Sequence, residues 1–486
     1  MKGKVYLVGA GPGDEGLITV RGSDLLQRAR VVVYDSLIGE GIKKYINTNA
    51  QMIYVGKRAG NHSKTQEEIN NILVEEGLRG GCVVRLKGGD PFLFGRGGEE
   101  LAALNEKGIL YEVVPGVTSA IGAAAYGGIP VTHRGLSSSL HIITGHLRDG
   151  KYNIDFNSLA KLTGTLVFLM GISSLETITS SLITGGMDSN TPCGIVESGT
   201  TSKQRVTLGT LNNIGEISRS LEVKSPGIII VGKVANLCKE YGWVHNKPLF
   251  GTKILVTRPK TMASKLGDKL YEVGAEVSCI DTIVTDKIDR KGFLSAMDNI
   301  HKYKWIILTS QVGVREFFTN IRESRIDIRS LNGIKFAAVG PSTKREIENM
   351  GILVDFVPSV YDGKTLGNEI GDIESCVLFR AAIGNEEIIE ILESRGVKCL
   401  DVPIYDTKHV LQNINPDNYD YITFTSKSCV DGFVASTSLD DYTGINAICI
   451  GETTGNAAKA YGMRVSISEE ATLDSMVKLL EKIRRG

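Results

Sequence analysis

The 486-residue chain is 42% hydrophobic and 23% charged, with 55 basic residues against 55 acidic ones. That length exceeds what one hydrophobic core can serve, so roughly two to four domains are expected. Zero net charge supplies no global field for nucleic acid or a membrane surface, and no apolar run approaches the ~20 residues that cross a bilayer.

Eight cysteines stand singly, without a C-x-x-C pair. This argues against a structural zinc site or a disulfide framework and suits a reducing compartment. The chain enters a strand at once, with no leader pattern, so a cytoplasmic location is expected.

The first element, "VYLVGAGPGDEG" (5–16), runs from an apolar strand into a glycine-rich loop. G-x-G-x-x-G spacing would put its third glycine at position 14, where Asp14 stands. A carboxylate there repels a pyrophosphate, and Pro12 removes an N–H from the cradle. A nicotinamide oxidoreductase is therefore disfavoured. "VVVYDSL" (31–37) is a second strand that ends on Asp35. "GCVVRLKGG" (81–89) is a third, followed by "DPFLFGRGGEE" (90–100). Asp90 before Pro91 is ordinary turn chemistry, but Arg85, Lys87, Arg96 and the glycines crowd one strand end. "EVVPGVTSAIGAAAYGGIPVTHRG" (112–135) supplies small residues beside which a flat ligand could lie. "HIITGHLRDG" (141–150) puts His146 and Arg148 after another strand. No carboxylate or cysteine stands at ligand spacing from His141 and His146, so no metal is expected.

Further strand-like runs, "TLVFLMGI" (165–172) and "GIIIVGKVA" (227–235), alternate with helical ones, the α/β signature. The clearest boundary is "EYGWVHNKPLFGTKILVTRP" (240–259), a polar and aromatic linker before a strand starting at Lys253. Beyond it the sequence repeats. Residues 253–284 align with 376–405, 304–318 with 421–434, and 334–354 with 445–465. Three units in the same order predict two similar α/β lobes around a cleft.

"GAGPGD", "YD" (34–35), "GKRAGNHSKTQEEIN" (56–70), "RLKGGDPFLFGRGGEE" and "VPGVTSA" together resemble the uroporphyrinogen-III C-methyltransferases, a family of tetrapyrrole methylases. The resemblance spans about residues 3–243 and implies two α/β subdomains meeting near Pro115–Ser119. It implies an S-adenosylmethionine site formed by Pro12, Gly88, Gly89, Asp90, Leu93, Thr118, Ser119, Met170 and Gly199. It further implies Asp35 as proton acceptor and Lys57 as proton donor in methylation of a porphyrinogen. A strand-end cap and a solvated lysine are their bland readings. Arg85, Lys87, Arg96, Arg134, His146 and Arg148 are candidates to meet the substrate's carboxylates. A homodimer through this domain is implied as well.

"ILVTRP", "LTSQVGV", "AVGPST", "VPIYDT", "TFTSKSCV" and "CIGETT" resemble uroporphyrinogen-III synthase over about residues 252–486. The implied fold is two-lobed α/β, with segments near 283–290 and 403–410 joining the lobes. In that fold the first strand–helix unit joins the C-terminal segment in one lobe. Tyr405 is implied to assist loss of water from hydroxymethylbilane. Thr309, Ser310, Thr343, Ser426 and Thr454 would line the cleft, while Arg258 and Arg380 would pair with carboxylates. For each hydroxyl the competing reading is a helix N-cap.

The domains expected are thus 1–243 and 252–486. Together they would convert hydroxymethylbilane to uroporphyrinogen III and methylate it at C2 and C7, giving precorrin-2. The alternative makes the second half a non-catalytic, two-lobed tetrapyrrole-binding module. No dehydrogenase or ferrochelatase segment precedes Met1, so complete sirohaem synthesis is not expected. The branch served, sirohaem or cobalamin, is left open.

Overall fold

A computed structural model describes residues 3–56, 64–145, 154–257, 260–383 and 386–485. Four five-stranded sheets organise the described residues. The first contains β1 (Lys4–Gly9), β2 (Val31–Tyr34), β3 (Gln51–Tyr54), β4 (Cys82–Lys87) and β5 (Leu110–Val114). Its order is β3-β2-β4-β1-β5, parallel throughout. Strands covered on both faces read as near-continuous apolar runs, as "VYLV" and "VVV" do. The helix Val20–Arg28 covers one face, and Gln66–Arg79 and Gly97–Glu106 cover the other. The chain leaves β1 towards β2 but leaves β4 towards β5, in opposite directions. The crevice beyond the carboxyl ends of β1 and β4 is therefore the switch point where open sheets take ligands.

The second sheet contains β6 (Leu140–Thr144), β7 (Thr165–Leu169), β8 (Pro192–Glu197), β9 (Arg205–Thr210) and β10 (Gly227–Val231). Its order is β6-β7-β10-β8-β9, and only β6 and β7 run parallel. The helix Ser119–Tyr126 joins the two sheets, burying Ala120, Ala123 and Ala124 against Val167, Leu169 and Val196.

The repeat folds with exchanged units. β11 (Lys253–Val256), β12 (Glu276–Cys279), β13 (Ile283–Lys287), β14 (Trp305–Leu308) and β15 (Lys335–Ala338) come from the first copy. β16 (Ser375–Ala381), β17 (Lys398–His409), β18 (Tyr421–Phe424), β19 (Asn446–Cys449) and β20 (Arg464–Ile467) come from the second. One sheet is β12-β11-β18-β19-β20 and the other is β13-β17-β16-β14-β15. Each lobe thus combines the first unit of one copy with the last two of the other. β12, β11, β18 and β19 correspond to β17, β16, β14 and β15, and the parallel bridge Ala337–Phe356 stands where β20 does. The expected connector forms: β13 pairs antiparallel with the end of β17, from Ile283–His409 to Lys287–Tyr405.

The linker is packed rather than loose. Leu249 is fully buried with Ile254, Leu266 and Leu270, and the Trp243 indole donates to the Ala125 carbonyl at 3.1 Å.

Candidate active sites

At the first switch point the backbone itself is the building material. Gly89 donates to the Gly11 carbonyl at 2.7 Å and accepts from the Gly11 N–H at 3.3 Å. A Cβ on Gly9 would fall 2.6 Å from the Gly89 carbonyl oxygen and 2.5 Å from Gly116 Cα, so no larger residue fits. Asp90 pins the next turn. Its Oδ1 accepts from Phe92 (2.8 Å) and Leu93 (3.1 Å), and its Oδ2 accepts from the Gly116 N–H (3.0 Å). Thr118 then caps the helix Ser119–Tyr126, accepting from the Ala120 N–H. Pro12 lies against Gly122 and Gly199 against Ala123 of that helix. Leu93 packs against the apolar cluster that contains Ala120 and Leu169, and Met170 stands exposed just after Leu169 with φ +56°.

Pro12, Gly88, Gly89, Asp90, Leu93, Thr118, Ser119 and Gly199 therefore come together around one crevice. Gly89 has φ +67°, and a Cβ there would meet nothing nearer than Ser119 N and Thr118 Cα at 4.0 Å. A Cβ there would only touch the start of the helix Ser119–Tyr126 at ordinary contact distance, so the positive φ is what calls for glycine. Leu37, Phe92 and Phe94, large apolar side chains of neighbouring turns, remain exposed.

Asp35 follows β2 directly. Its Oδ1 accepts from the Leu37 N–H at 3.1 Å, and its Oδ2 from Arg85 Nη2 at 3.2 Å. Turn capping and ion pairing thus hold a carboxylate that stays partly open. Arg85 and Lys87 differ from expectation: they are only 4% and 5% exposed. Both converge on Oε1 of the fully buried Glu100, Arg85 Nε at 3.2 Å and Lys87 Nζ at 2.8 Å. They face the inner side of β4 and neutralise an internal acid, so they are not free to greet substrate carboxylates. Burial, reinforced by Arg85, pushes the Lys87 ammonium pKa below its ordinary value, against the pull of Glu100. Arg134 is exposed, and Arg96 is exposed in a pair with Glu99. Lys57, His146, Arg148 and Arg258 lie outside the described residues.

A second constellation forms where β17 leaves its lobe for the connector. The register slips between Arg380 and Ala381, which pair with Pro403 and Tyr405, leaving Ile404 as a bulge. Bulges re-aim side chains. Tyr405 sits 3.0 Å from Ser310 Oγ, and Ser310 in turn caps the helix Gln311–Glu323 through the Gly313 N–H at 2.9 Å. Burial raises the Tyr405 pKa, with the Ser310 contact opposing, so the phenol keeps its proton at neutral pH.

Arg380 donates twice to Asp401, at 2.7 and 2.6 Å, while its buried Nη1 finds no partner among the described residues. Thr309, Arg380 and Tyr405 share a cavity of about 200 Å³. Thr343 and Thr454 differ from the expected cleft lining: both are buried in the first turns of Pro341–Asn349 and Glu452–Ala460. Ser426 caps Lys427–Thr437 through the Cys429 N–H.

Glu100 and Asp401 were not singled out from sequence. A signal existed for Glu100: two basic residues at i and i+2 on a doubly covered strand require a buried acid.

Two family models match the chain, Tetrapyrrole (Corrin/Porphyrin) Methylases over residues 4–215 and Uroporphyrinogen-III synthase HemD over residues 264–478. The "Porphyrin biosynthesis protein HemD" of Ruminiclostridium josui is 46% identical, covering 99% of this chain and 98% of that protein. The chain belongs to this family of fused tetrapyrrole methylases and uroporphyrinogen-III synthases. The "Uroporphyrinogen-III C-methyltransferase" of Bacillus subtilis is 40% identical, covering 72% of each chain. The Thermus thermophilus uroporphyrin-III C-methyl transferase, solved with S-adenyl homocysteine, is 40% identical over 48% of this chain and 100% of that one, with a TM-score of 0.43. The glycine crevice accordingly belongs to the methylase half, and the Tyr405 cavity to the synthase half. The protein is a bifunctional enzyme of tetrapyrrole biosynthesis.

Proposed function

We propose that the synthase half closes hydroxymethylbilane to uroporphyrinogen III and that the methylase half methylates it at C2 and C7, giving precorrin-2. The observation that carries this reading is the presence of both family matches, end to end, on one chain whose two reactions are consecutive.

The crevice fits S-adenosylmethionine. It offers a left-handed glycine, close backbone walls and exposed apolar side chains, with no phosphate cradle. Pro12, Gly88, Gly89, Asp90, Leu93, Thr118, Ser119, Met170 and Gly199 would hold the cofactor. Bound there, it supplies an activated methyl group, so alignment of the porphyrinogen carbon provides much of the rate. Asp35, oriented by Arg85, takes the proton that the methylated pyrrole ring must lose. Lys57 is the proposed donor, and Arg96, Arg134, His146 and Arg148 are proposed carboxylate partners.

In the synthase half the cavity needs to hold a flexible bilane and ease departure of its hydroxyl. Tyr405 donates to that leaving group while Ser310 fixes the phenol. Asp401 holds Arg380 so that Nη1 faces substrate, with Thr309 beside it. Arg258 is a further carboxylate partner, and Ser426 with the turns bearing Thr343 and Thr454 frame the opposite lobes.

Among the described residues no helix is long and apolar enough to cross a membrane. A cytoplasmic homodimer, paired through the methylase half, is part of the proposal. Two separate assays test the activities. Hydroxymethylbilane alone should yield the type III ring in excess of type I, and supplied uroporphyrinogen III with S-adenosylmethionine should gain two methyl groups. A type I product throughout would leave the second half as a binding module.

A further inference from the structure

Asp14, which excludes a pyrophosphate from the first loop, is the hub of a hydrogen-bond cluster that crosses between the halves. Its Oδ2 accepts from the Tyr126 hydroxyl at 2.7 Å. Its Oδ1 accepts from the Gly16 N–H and from the Tyr271 hydroxyl, each at 2.7 Å. Its own N–H donates to Thr200 Oγ1 at 3.0 Å. Gly16 belongs to the same turn, two partners come from elsewhere in the methylase half, and one comes from the synthase half. Tyr126 ends the helix that Thr118 begins, and Thr200 follows Gly199. Gln204 braces these two, accepting from the Thr200 N–H (2.8 Å) and donating to the Tyr126 carbonyl (2.9 Å). Tyr271 comes from the helix Lys260–Glu272 in the synthase half.

Burial, followed by the Asp14 carboxylate, pushes both phenol pKa values up, so each hydroxyl remains a donor at neutral pH. The loop that Asp14 terminates needs such anchoring. Gly11 and Gly13 both have positive φ (+77° and +157°), and glycine gives up more conformational freedom on ordering than other residues. A loop left free must be ordered when ligand binds, which weakens binding.

We propose that Tyr271 is a positioning residue for methyl transfer: by holding the Asp14 carboxylate, the synthase half fixes the Gly11–Gly13 wall of the cofactor crevice. The inference rests on the methyltransferase reading given above. It makes the fusion a physical aid to the first half, through a bond between residues 257 positions apart.

Calorimetric titration of the full chain with S-adenosylmethionine tests it. Tyr271→Phe should weaken binding roughly three- to tenfold, the usual effect of one lost hydrogen bond. KM for the cofactor should rise while kcat for methylation stays within about twofold, as expected when ground and transition states lose the same interaction. Ser202→Ala cuts another contact over the same boundary, the 2.6 Å bond to Glu276, and should leave affinity unchanged. Asp14→Ala combined with Tyr271→Phe should bind no more weakly than Asp14→Ala alone, because the two act through one bond.

Unchanged affinity in Tyr271→Phe, or an equal loss in Ser202→Ala, overturns the inference. A parent protein that does not bind S-adenosylmethionine overturns the methyltransferase reading itself, and the inference with it.

Discussion

Asp35 and Gly89 sit on neighbouring strand ends, yet the proposed chemistry asks opposite things of them. Gly89 keeps a positive φ and faces the start of the helix Ser119–Tyr126 at 4.0 Å, so Gly89→Val strains the turn and sets a branched side chain against the proposed cofactor wall. Calorimetry should show cofactor binding abolished, with cyclisation intact. Asp35→Asn keeps volume and removes the base, so methylation should fall by roughly a hundredfold or more while cofactor affinity barely changes. Near-normal methylation would leave Asp35 as a turn cap alone. In the other half, Tyr405→Phe should slow cyclisation by about ten- to a hundredfold and let the type I ring accumulate. A raised phenol pKa means that the donor form persists through neutral and mildly alkaline pH. Cyclisation should therefore not decline through loss of the Tyr405 proton as pH rises to the ordinary tyrosine range, and is lost only above it. A decline centred near neutrality would point to another group. The motifs named Tyr405, Thr309, Ser310 and Arg380 as one group, and the fold sets them side by side. The Ser310–Tyr405 contact itself, beside the bulge at Ile404, was not legible, because no local pattern announces a register slip.

At the scale of elements, β4 and the helix Gly97–Glu106 are joined through a buried charge cluster. Arg85, Lys87 and Glu100 lie within one layer, with Asp35 at its open end. Removing one member of a buried set leaves the others uncompensated. Glu100→Gln should destabilise the protein by about 3 kcal/mol, read as a lower unfolding midpoint in urea. A midpoint unchanged within error would mean that Arg85 and Lys87 find water or other acceptors. The sequence displays these charges but not their destination. Alternation along a strand says which residues share a face, whereas burial on both faces depends on helices drawn from distant segments. The repeat shows the same division. Its three units were legible as strand–helix pairs in matching order. The repeat alone does not say that each lobe exchanges one unit with the other; that came with the family resemblance, and the connector β13–β17, whose strands lie far apart in sequence, carries it out.

The whole molecule places two candidate sites on one chain and bonds the halves together. Leu249 buries the linker, Glu276 accepts from Ser202, and Tyr271 reaches Asp14. Such contacts make the boundary a packed surface rather than a tether, which fits two steps that share an intermediate. A mixed turnover with hydroxymethylbilane and S-adenosylmethionine, followed by mass spectrometry of the tetrapyrrole, tests the central claim most directly. The account predicts a cyclised product of the type III series carrying two added methyl groups, with two equivalents of S-adenosylhomocysteine formed per bilane consumed. An unmethylated ring, or type I products in the proportion found without enzyme, would contradict it.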